Sequence, residues 1–253
     1  MPPMDGYTAR TYGDAFADVY DDWYADVGDA ATAVRTVHEL GGGGAVLELG
    51  VGSGRLAVPL AAAGCEVWGI ESSPAMLDLL AARPGSDAVH AVLGDMADPA
   101  VAIAGAGAPP FAAVVAAFNT FFLLADDGAQ ERCLRSVVPL LAPGGVVVLE
   151  CFVPADPPPA VERVVEPRTV AVDHVVLTCT EHDPVTQVVR GQHIEVRESG
   201  TRLRPWVLRY ATPAQLDELA AAAGLDLAAR WGGWGRDPLQ PADAMHVSVY
   251  GSR

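Results

Sequence analysis

Between Ala45 and Phe152, short apolar runs alternate with stretches in which apolar residues recur every three or four positions. The runs "AVLEL", "CEVWGI", "AVHAVLGD", "FAAVVAAF" and "VVVLECF" have the length and bulk of buried strands. Between them, "RLAVPLAAAG" reads as a helix closed by Gly64. "SPAMLDLLAARPG" reads as a second, with Ser73 at its N-cap, Pro74 in its first turn and Gly85 beyond its end. "DDGAQERCLRSVVPLLAPGG" reads as a long amphipathic helix that stops at its glycines. Strands separated by helices imply right-handed crossovers and a parallel sheet.

After Val153 the pattern changes. Pro154 to Pro159 reads as a proline-rich hinge, and three runs with period two follow: "RTVAVDHVVLTCTEHD", "TQVVRGQHIEVRES" and "TRLRPWVLRYA". Turn signals in "DPVT" and "ESGT" join them into an antiparallel meander. Helical spacing returns in "TPAQLDELAAAAG", with Thr212 as N-cap, and strands follow around Leu225 to Trp231 and His246 to Tyr250. Before the sheet, "TYGDAFADVYDDWYADV" places Tyr12, Phe16, Tyr20 and Tyr24 every four residues, an aromatic stripe if the segment is one helix. Asp14, Asp18, Asp21 and Asp22 lie beside or opposite it. The expected architecture is α/β, with residues 1–40 as a helical segment, 41–153 and 211–253 as the sheet domain, and 154–210 as an inserted antiparallel β unit. No internal repeat is present.

The chain of 253 residues is ample for one large core. Its formal charge of −16 disfavours nucleic acid as a partner, because phosphate backbones are gripped by Lys and Arg clusters. All sixteen basic residues are Arg, so Schiff-base lysine chemistry has no candidate. Cys65, Cys133, Cys151 and Cys179 show no C-x-x-C spacing and no His/Cys cluster, and read as reduced core thiols rather than a zinc site or disulfide framework. "MPPMDGYTAR" lacks an apolar leader, and the most apolar stretch, Phe111 to Ala125, is short and broken by Asn119 and Thr120. The expectation is a cytoplasmic protein with no membrane span; association into a homo-oligomer stays open.

The candidate chemistry begins in "VLELGVGSGR", residues 46 to 55. Gly50, Gly52 and Gly54 alternate after Glu48, which suits a tight turn and close approach of a ligand to the backbone. A dinucleotide fingerprint needs a glycine where Arg55 stands. Instead, acids end three successive strands: Glu48, Glu71 and, in "LGDM", Asp95. All three fall at the carboxyl edge where open α/β sheets bind ligands.

On these motifs the chain, from about Ala45 to Arg253, resembles the class I S-adenosylmethionine-dependent methyltransferases. The resemblance implies a Rossmann-like seven-stranded sheet capped by the inserted meander, with the closing strand antiparallel. It assigns Glu48 and the Gly50 to Gly54 loop, Val51 included, to the methionine end of S-adenosylmethionine. Glu71 takes the ribose hydroxyls and Asp95 with Met96 the adenine, and Ser72, Met76 and Ala117 complete the cofactor set. No metal is implied, and the product is S-adenosylhomocysteine. A carboxylate can accept both ribose hydroxyls, and Met can lie against an adenine face.

"AAFNTFFLL", residues 116 to 124, falls at the end of the fourth strand, beside the transferring methyl on this pattern. Nucleobase and glutamine-amide methyltransferases resemble one another in an N-P-P-Y or D-P-P-Y motif here; this chain has Asn119-Thr120-Phe121-Phe122. The departure favours a small acceptor held by aromatic walls, with Phe118, Asn119 and Phe122 as substrate contacts and Phe121 as a catalytic one, although each Phe reads equally as core. The N-terminal stripe is similar to the lid of small-molecule N-methyltransferases of antibiotic pathways, acting on amino sugars or lincosamide-type amines. That implies Tyr20 on the cofactor, Tyr12 on the reacting groups, and Tyr24 with His174 on the substrate; ordinary packing is the competing reading. Amino-sugar enzymes tend to carry a histidine near the end of the 116–124 stretch, where this chain has Leu123 and Leu124. The expected partner is a small-molecule amine. The alternatives are an O-methyltransferase, with His174, His182 or His193 as base, and a noncatalytic S-adenosylmethionine-binding protein. Arg202, Arg204 and Arg209, near Trp206, read by alternation as a solvated face rather than substrate contacts.

Overall fold

The computed structural model describes residues 4–25, 28–155 and 160–252. The strands are β1 (Val46–Leu49), β2 (Val67–Glu71), β3 (Val89–Leu93), β4 (Phe111–Ala116), β5 (Leu141–Phe152), β6 (Glu162–Val170), β7 (His174–Asp183), β8 (Val188–Arg197), β9 (Gly200–Arg209), β10 (Leu225–Trp231) and β11 (Met245–Ser252). The helices are α1 (Thr11–Phe16), α2 (Tyr20–Tyr24), α3 (Ala30–Leu40), α4 (Ala57–Ala62), α5 (Pro74–Ala82), α6 (Pro99–Ala102), α7 (Ala129–Val137) and α8 (Pro213–Ala223).

A seven-stranded sheet runs in the order β10-β11-β5-β4-β1-β2-β3. β1 to β5 pair in parallel, and β11 is antiparallel to both β5 and β10. Alternate residues of these strands feed two cores. Leu47, Leu49, Ile70, Val114 and Leu149 pack with Cys133 and Leu134 of α7 and Leu216 of α8. Val46, Val67, Val115 and Val148 pack with Val37 of α3, Leu60 of α4 and Leu80 of α5. A strand covered on both faces reads as a continuous apolar run, the form in which the sequence shows it. The protein is thus an α/β fold of the methyltransferase type, with a separate antiparallel sheet, β6-β7-β8-β9.

Local signals account for the start of α5. The Ser73 hydroxyl accepts the Met76 N–H at 3.3 Å with Pro74 in the first turn. Thr212 and Gln215 close a capping box on α8. Three expectations are corrected. The helix expected to run to the glycines at 144–145 ends at Val137, because Pro139 lies in a 3-10 turn and β5 already starts at Leu141. The meander has a further strand, β6, exposed along most of its length and interrupted by Pro167, so it carries no buried alternation to read. The aromatic segment is two short helices, broken between Phe16 and Tyr20. Of the proline-rich hinge, Asp156 to Pro159 lies outside the described residues.

The break redistributes the stripe. Tyr12 stacks on Phe16 at 4.5 Å between ring centroids and meets Tyr20 edge-on at 6.5 Å. Phe16, fully buried, turns to the β sheet of residues 162–209, where it meets His193 at 5.6 Å. Burial pushes the His193 imidazole down to about 4, and the Arg168 and Arg204 charges act in the same direction. The folded state therefore favours neutral His193, and its contribution to stability is complete above pH 6.5 and lost as pH falls toward about 4. Thermal melts across that window should show the wild type losing stability faster than His193→Gln, which retains a hydrogen-bonding group for Thr178 without titrating. The difference should be at most about 1.4 kcal/mol per pH unit; parallel curves would refute it.

Candidate active site

The carboxyl ends of β1, β2 and β3 open into a cavity roofed by the N-terminal segment. Its wall includes Tyr7, Tyr12, Tyr20, Gly52, Glu71 and Asp95, and it holds about 660 Å³ of space unoccupied by protein atoms, solvent at its mouth included. Ile70, Gly50, Ser72, Met76, Gly94, Met96, Thr120, Leu123 and Leu124 complete the side nearest the sheet. The structure thus brings together Tyr12, Tyr20, Gly50, Gly52, Glu71, Ser72, Met76, Asp95 and Met96 from the residues singled out in the sequence.

Glu71 organises this wall. Its Oε2 accepts the Gly52 N–H at 3.0 Å and its Oε1 accepts the Ser73 N–H at 2.9 Å, so one carboxylate joins the glycine loop to the start of α5. Burial raises its pKa, opposed by the N–H donors of Ser73, Gly52 and Ser72. The three glycines serve different ends. A Cβ on Gly50 would strike Thr120, and one on Gly54 would strike Leu80, so those two permit packing. A Cβ on Gly52 meets nothing nearer than the Gly50 carbonyl at 4.0 Å and would project into free space, at a φ of +54° that side chains rarely adopt. Gly52 is therefore the glycine at which the backbone is open to close approach from the cavity. Glu48 is off the cavity wall, accepts the Ala57 N–H, and is pushed up to about 8 by burial. Its buried Oε2 has no hydrogen-bond partner among the described residues.

The N-terminal segment is tied down by its acids. The Ser73 hydroxyl donates to Asp14 at 2.7 Å, the Ser53 hydroxyl to Asp21 at 2.6 Å, and Arg83 reaches the other Asp21 oxygen at 2.8 Å. On the N-terminal side of the cavity, Tyr12 hydrogen-bonds Tyr24 and its phenol is raised well above its ordinary value, chiefly by burial. Burial likewise pushes Tyr7 and Tyr20 up to about 12.

Other sequence-singled residues are placed elsewhere. Val51 is buried against Gly69 of β2, and Ala117 is buried at the end of β4. Tyr24 packs on Tyr20 at 5.0 Å behind the wall. Phe121 and Phe122 are fully buried in the core beside α7, so neither is exposed to a substrate. Asn119 uses its Oδ1 to accept the Phe152 N–H at 2.6 Å, bracing the turn after β4. Phe118 lies under the Arg55 guanidinium at 4.3 Å, with its N–H given to Glu150. His174 sits at the start of β7 against Asp173 at 2.8 Å, remote from the cavity wall. Arg204, expected on a solvated face, is 1% exposed because Asp18 covers it. Tyr7, Ala9 and Gly13 line the cavity without having been singled out. Gly13 carried a signal: a glycine inside a helical pattern marks close packing, and a Cβ there would strike Ser73.

Fold and site define a class. A methyltransferase domain model matches residues 46–145. The chain is 41% identical to the CcbJ methyltransferase from Streptomyces caelestis, over 98% of this chain and 100% of that one, with a TM-score of 0.87. The chain belongs to the S-adenosylmethionine-dependent methyltransferases, and its cofactor is S-adenosylmethionine. It is also 34% identical over 114 residues to a cypemycin N-terminal methyltransferase from Streptomyces sp., a match that spans 45% of this chain and 44% of that protein. The S-adenosylmethionine-bound amino pentose methyltransferase from Micromonospora echinaspora shares the fold, at 23% identity and a TM-score of 0.66, over 93% of this chain and 97% of that one. Among the described residues, no group of three or more His, Cys, Asp or Glu is arranged to hold a metal, and no helix is long and apolar enough to cross a membrane.

Titration calorimetry should find S-adenosylmethionine binding weakened about tenfold or more in Glu71→Ala, through loss of hydrogen bonds to a charged group. Gly52→Val should bind still more weakly, since its side chain occupies the cradle. Wild-type affinity in either folded variant would overturn the placement.

Proposed function

We propose that the protein methylates an amine nitrogen of a small molecule, in antibiotic or related secondary-metabolite biosynthesis, with an amino-sugar or lincosamide-like acceptor. The observation that carries this reading is the set of phenols on the cavity wall, Tyr7, Tyr12 and Tyr20, all of which burial holds in the protonated, neutral form. Such groups orient an amine but do not deprotonate an alcohol. The imidazoles that an O-methyltransferase would call on are engaged elsewhere: His182 with Tyr210, His193 with Thr178 and His174 with Asp173. The likeness to a cypemycin N-terminal methyltransferase supports the same choice.

On this reading residues 1–40 form the lid, residues 154–210 the cap, and the rest the cofactor domain. Glu71 holds the ribose hydroxyls, Asp95 and Met96 the adenine, Gly50 and Gly52 the methionine portion, with Glu48 behind them. Bound S-adenosylmethionine supplies an electrophilic methyl on a sulfonium that leaves as a neutral thioether. The chain's part is alignment and exclusion of water. Removing the acceptor from water lowers its amine pKa and frees the lone pair that attacks. Aromatic faces of the lid suit the sulfonium charge. Tyr12 orients the amine, whose proton passes to water after transfer, and Tyr20 closes over the cofactor.

Tyr→Phe keeps the buried area of each ring while removing its hydroxyl. Tyr12→Phe should lower kcat, and Tyr20→Phe should raise the KM for S-adenosylmethionine, each about tenfold or more. Wild-type kinetics in both would return the stripe to packing. A product whose new methyl sits on oxygen, read by NMR, would favour the O-methyltransferase instead, and cofactor binding without turnover across a panel of amines and alcohols would favour a noncatalytic role.

A further inference from the structure

Among the described residues, the largest fully buried side chain is an arginine, Arg204 of β9. Its guanidinium donates to the Ala15 carbonyl at 2.6 Å, to both carboxylate oxygens of Asp18, the farther at 3.1 Å, and to Glu195 of β8 at 2.9 Å. Trp23 covers it, with the guanidinium carbon 5.4 Å from the ring centroid. Ala15 lies in the last turn of α1 and Asp18 within the break between α1 and α2, and that break is the turn that delivers Tyr12 from one side and Tyr20 from the other to the cavity wall. Arg204 lines no part of that cavity.

We propose that Arg204 is a positioning residue for methyl transfer: from inside the cap it clamps the α1–α2 turn through Ala15 and Asp18 and so holds Tyr12 and Tyr20 over the cofactor. Burying ions is costly, and an apolar replacement of similar volume is often as stable. A four-bond arrangement around one buried guanidinium is therefore poorly explained as a stabilising device. It is well explained as a geometric one, because a planar fork fixes the direction of its partners, which a contact between apolar groups does not. The opposite edge of the lid is held by Asp14 on Ser73 and Asp21 on Ser53 and Arg83. Of these three acids, Asp18 is the one that bonds the cap, through Arg204 and, at 2.9 Å, Arg202. The clamp thus makes the cap sheet, which contributes nothing to the cavity wall around the two tyrosines, a determinant of how they sit.

The proposal rests on the lid reading above but not on the nature of the acceptor, so its test reads the cofactor. Calorimetric titration with S-adenosylhomocysteine should compare wild type, Arg204→Met, Arg204→Lys and Asp18→Asn, with thermal melts beside each. Arg204→Met should bind about tenfold more weakly, Arg204→Lys should lie between it and wild type, and Asp18→Asn should weaken binding about threefold or more while its melting temperature stays close to wild type. Asp18 is half-exposed and its substitution leaves the Arg204–Glu195 pair in place, so that variant decides the matter should Arg204→Met fail to fold. Wild-type affinity in folded Asp18→Asn and Arg204→Lys, whether or not their melting temperatures fall, would overturn the proposal. If the clamp variants lose affinity while no amine is methylated by wild type, the clamp stands and the acceptor assignment fails.

Discussion

One carboxylate, Glu71, sets the geometry on which the cavity at the carboxyl edge of the sheet depends. It accepts main-chain N–H groups from Gly52 and Ser73 and thereby holds the loop after β1 against the start of α5. Both donors are orphans of their own elements, one in a turn and one preceding a helix, so the pairing satisfies backbone groups that the fold leaves open. The same atoms face the cavity with lone pairs to spare. A group that closes the loop and presents its remaining acceptors to a ligand couples the integrity of the cradle to binding.

The lid is assembled on that frame. Asp14 lies in α1, Asp18 in the break and Asp21 in α2, so the three acids reach out from different parts of the segment. Two of them bind hydroxyls of the frame, Ser73 and Ser53, and the third binds the cap through Arg204. The broken helix gives this arrangement its use: within α1 Phe16 stays stacked on Tyr12 and reaches His193, and the break that follows brings Tyr20 edge-on to Tyr12, so that both phenols line the cavity.

What the sequence disclosed was local. Ser73 as a cap, the glycine loop and the acids at strand ends are each fixed by neighbours a few positions away, and the strands buried on two faces announce themselves by continuous apolarity. What it concealed was pairing at a distance. Arg204 and Asp18 are 186 positions apart, and an arginine in an alternating strand looks solvated until its partner is in place. Asn119 shows the converse error. A polar residue at the end of β4 suggests a ligand contact, but a residue at φ +64° needs bracing, and its oxygen goes to the Phe152 N–H. Phe121 and Phe122 of the same stretch were equally consistent with core and pocket, and the packing beside α7 decides for core.

The central claim is that the cofactor lies between the Glu71-fixed cradle and the N-terminal lid. Hydrogen exchange of backbone amides, with and without S-adenosylhomocysteine, tests it most directly. Protection should rise together in residues 50–54, 71–76 and 11–24. Protection confined to the first two segments, with exchange in 11–24 unchanged, would contradict the account.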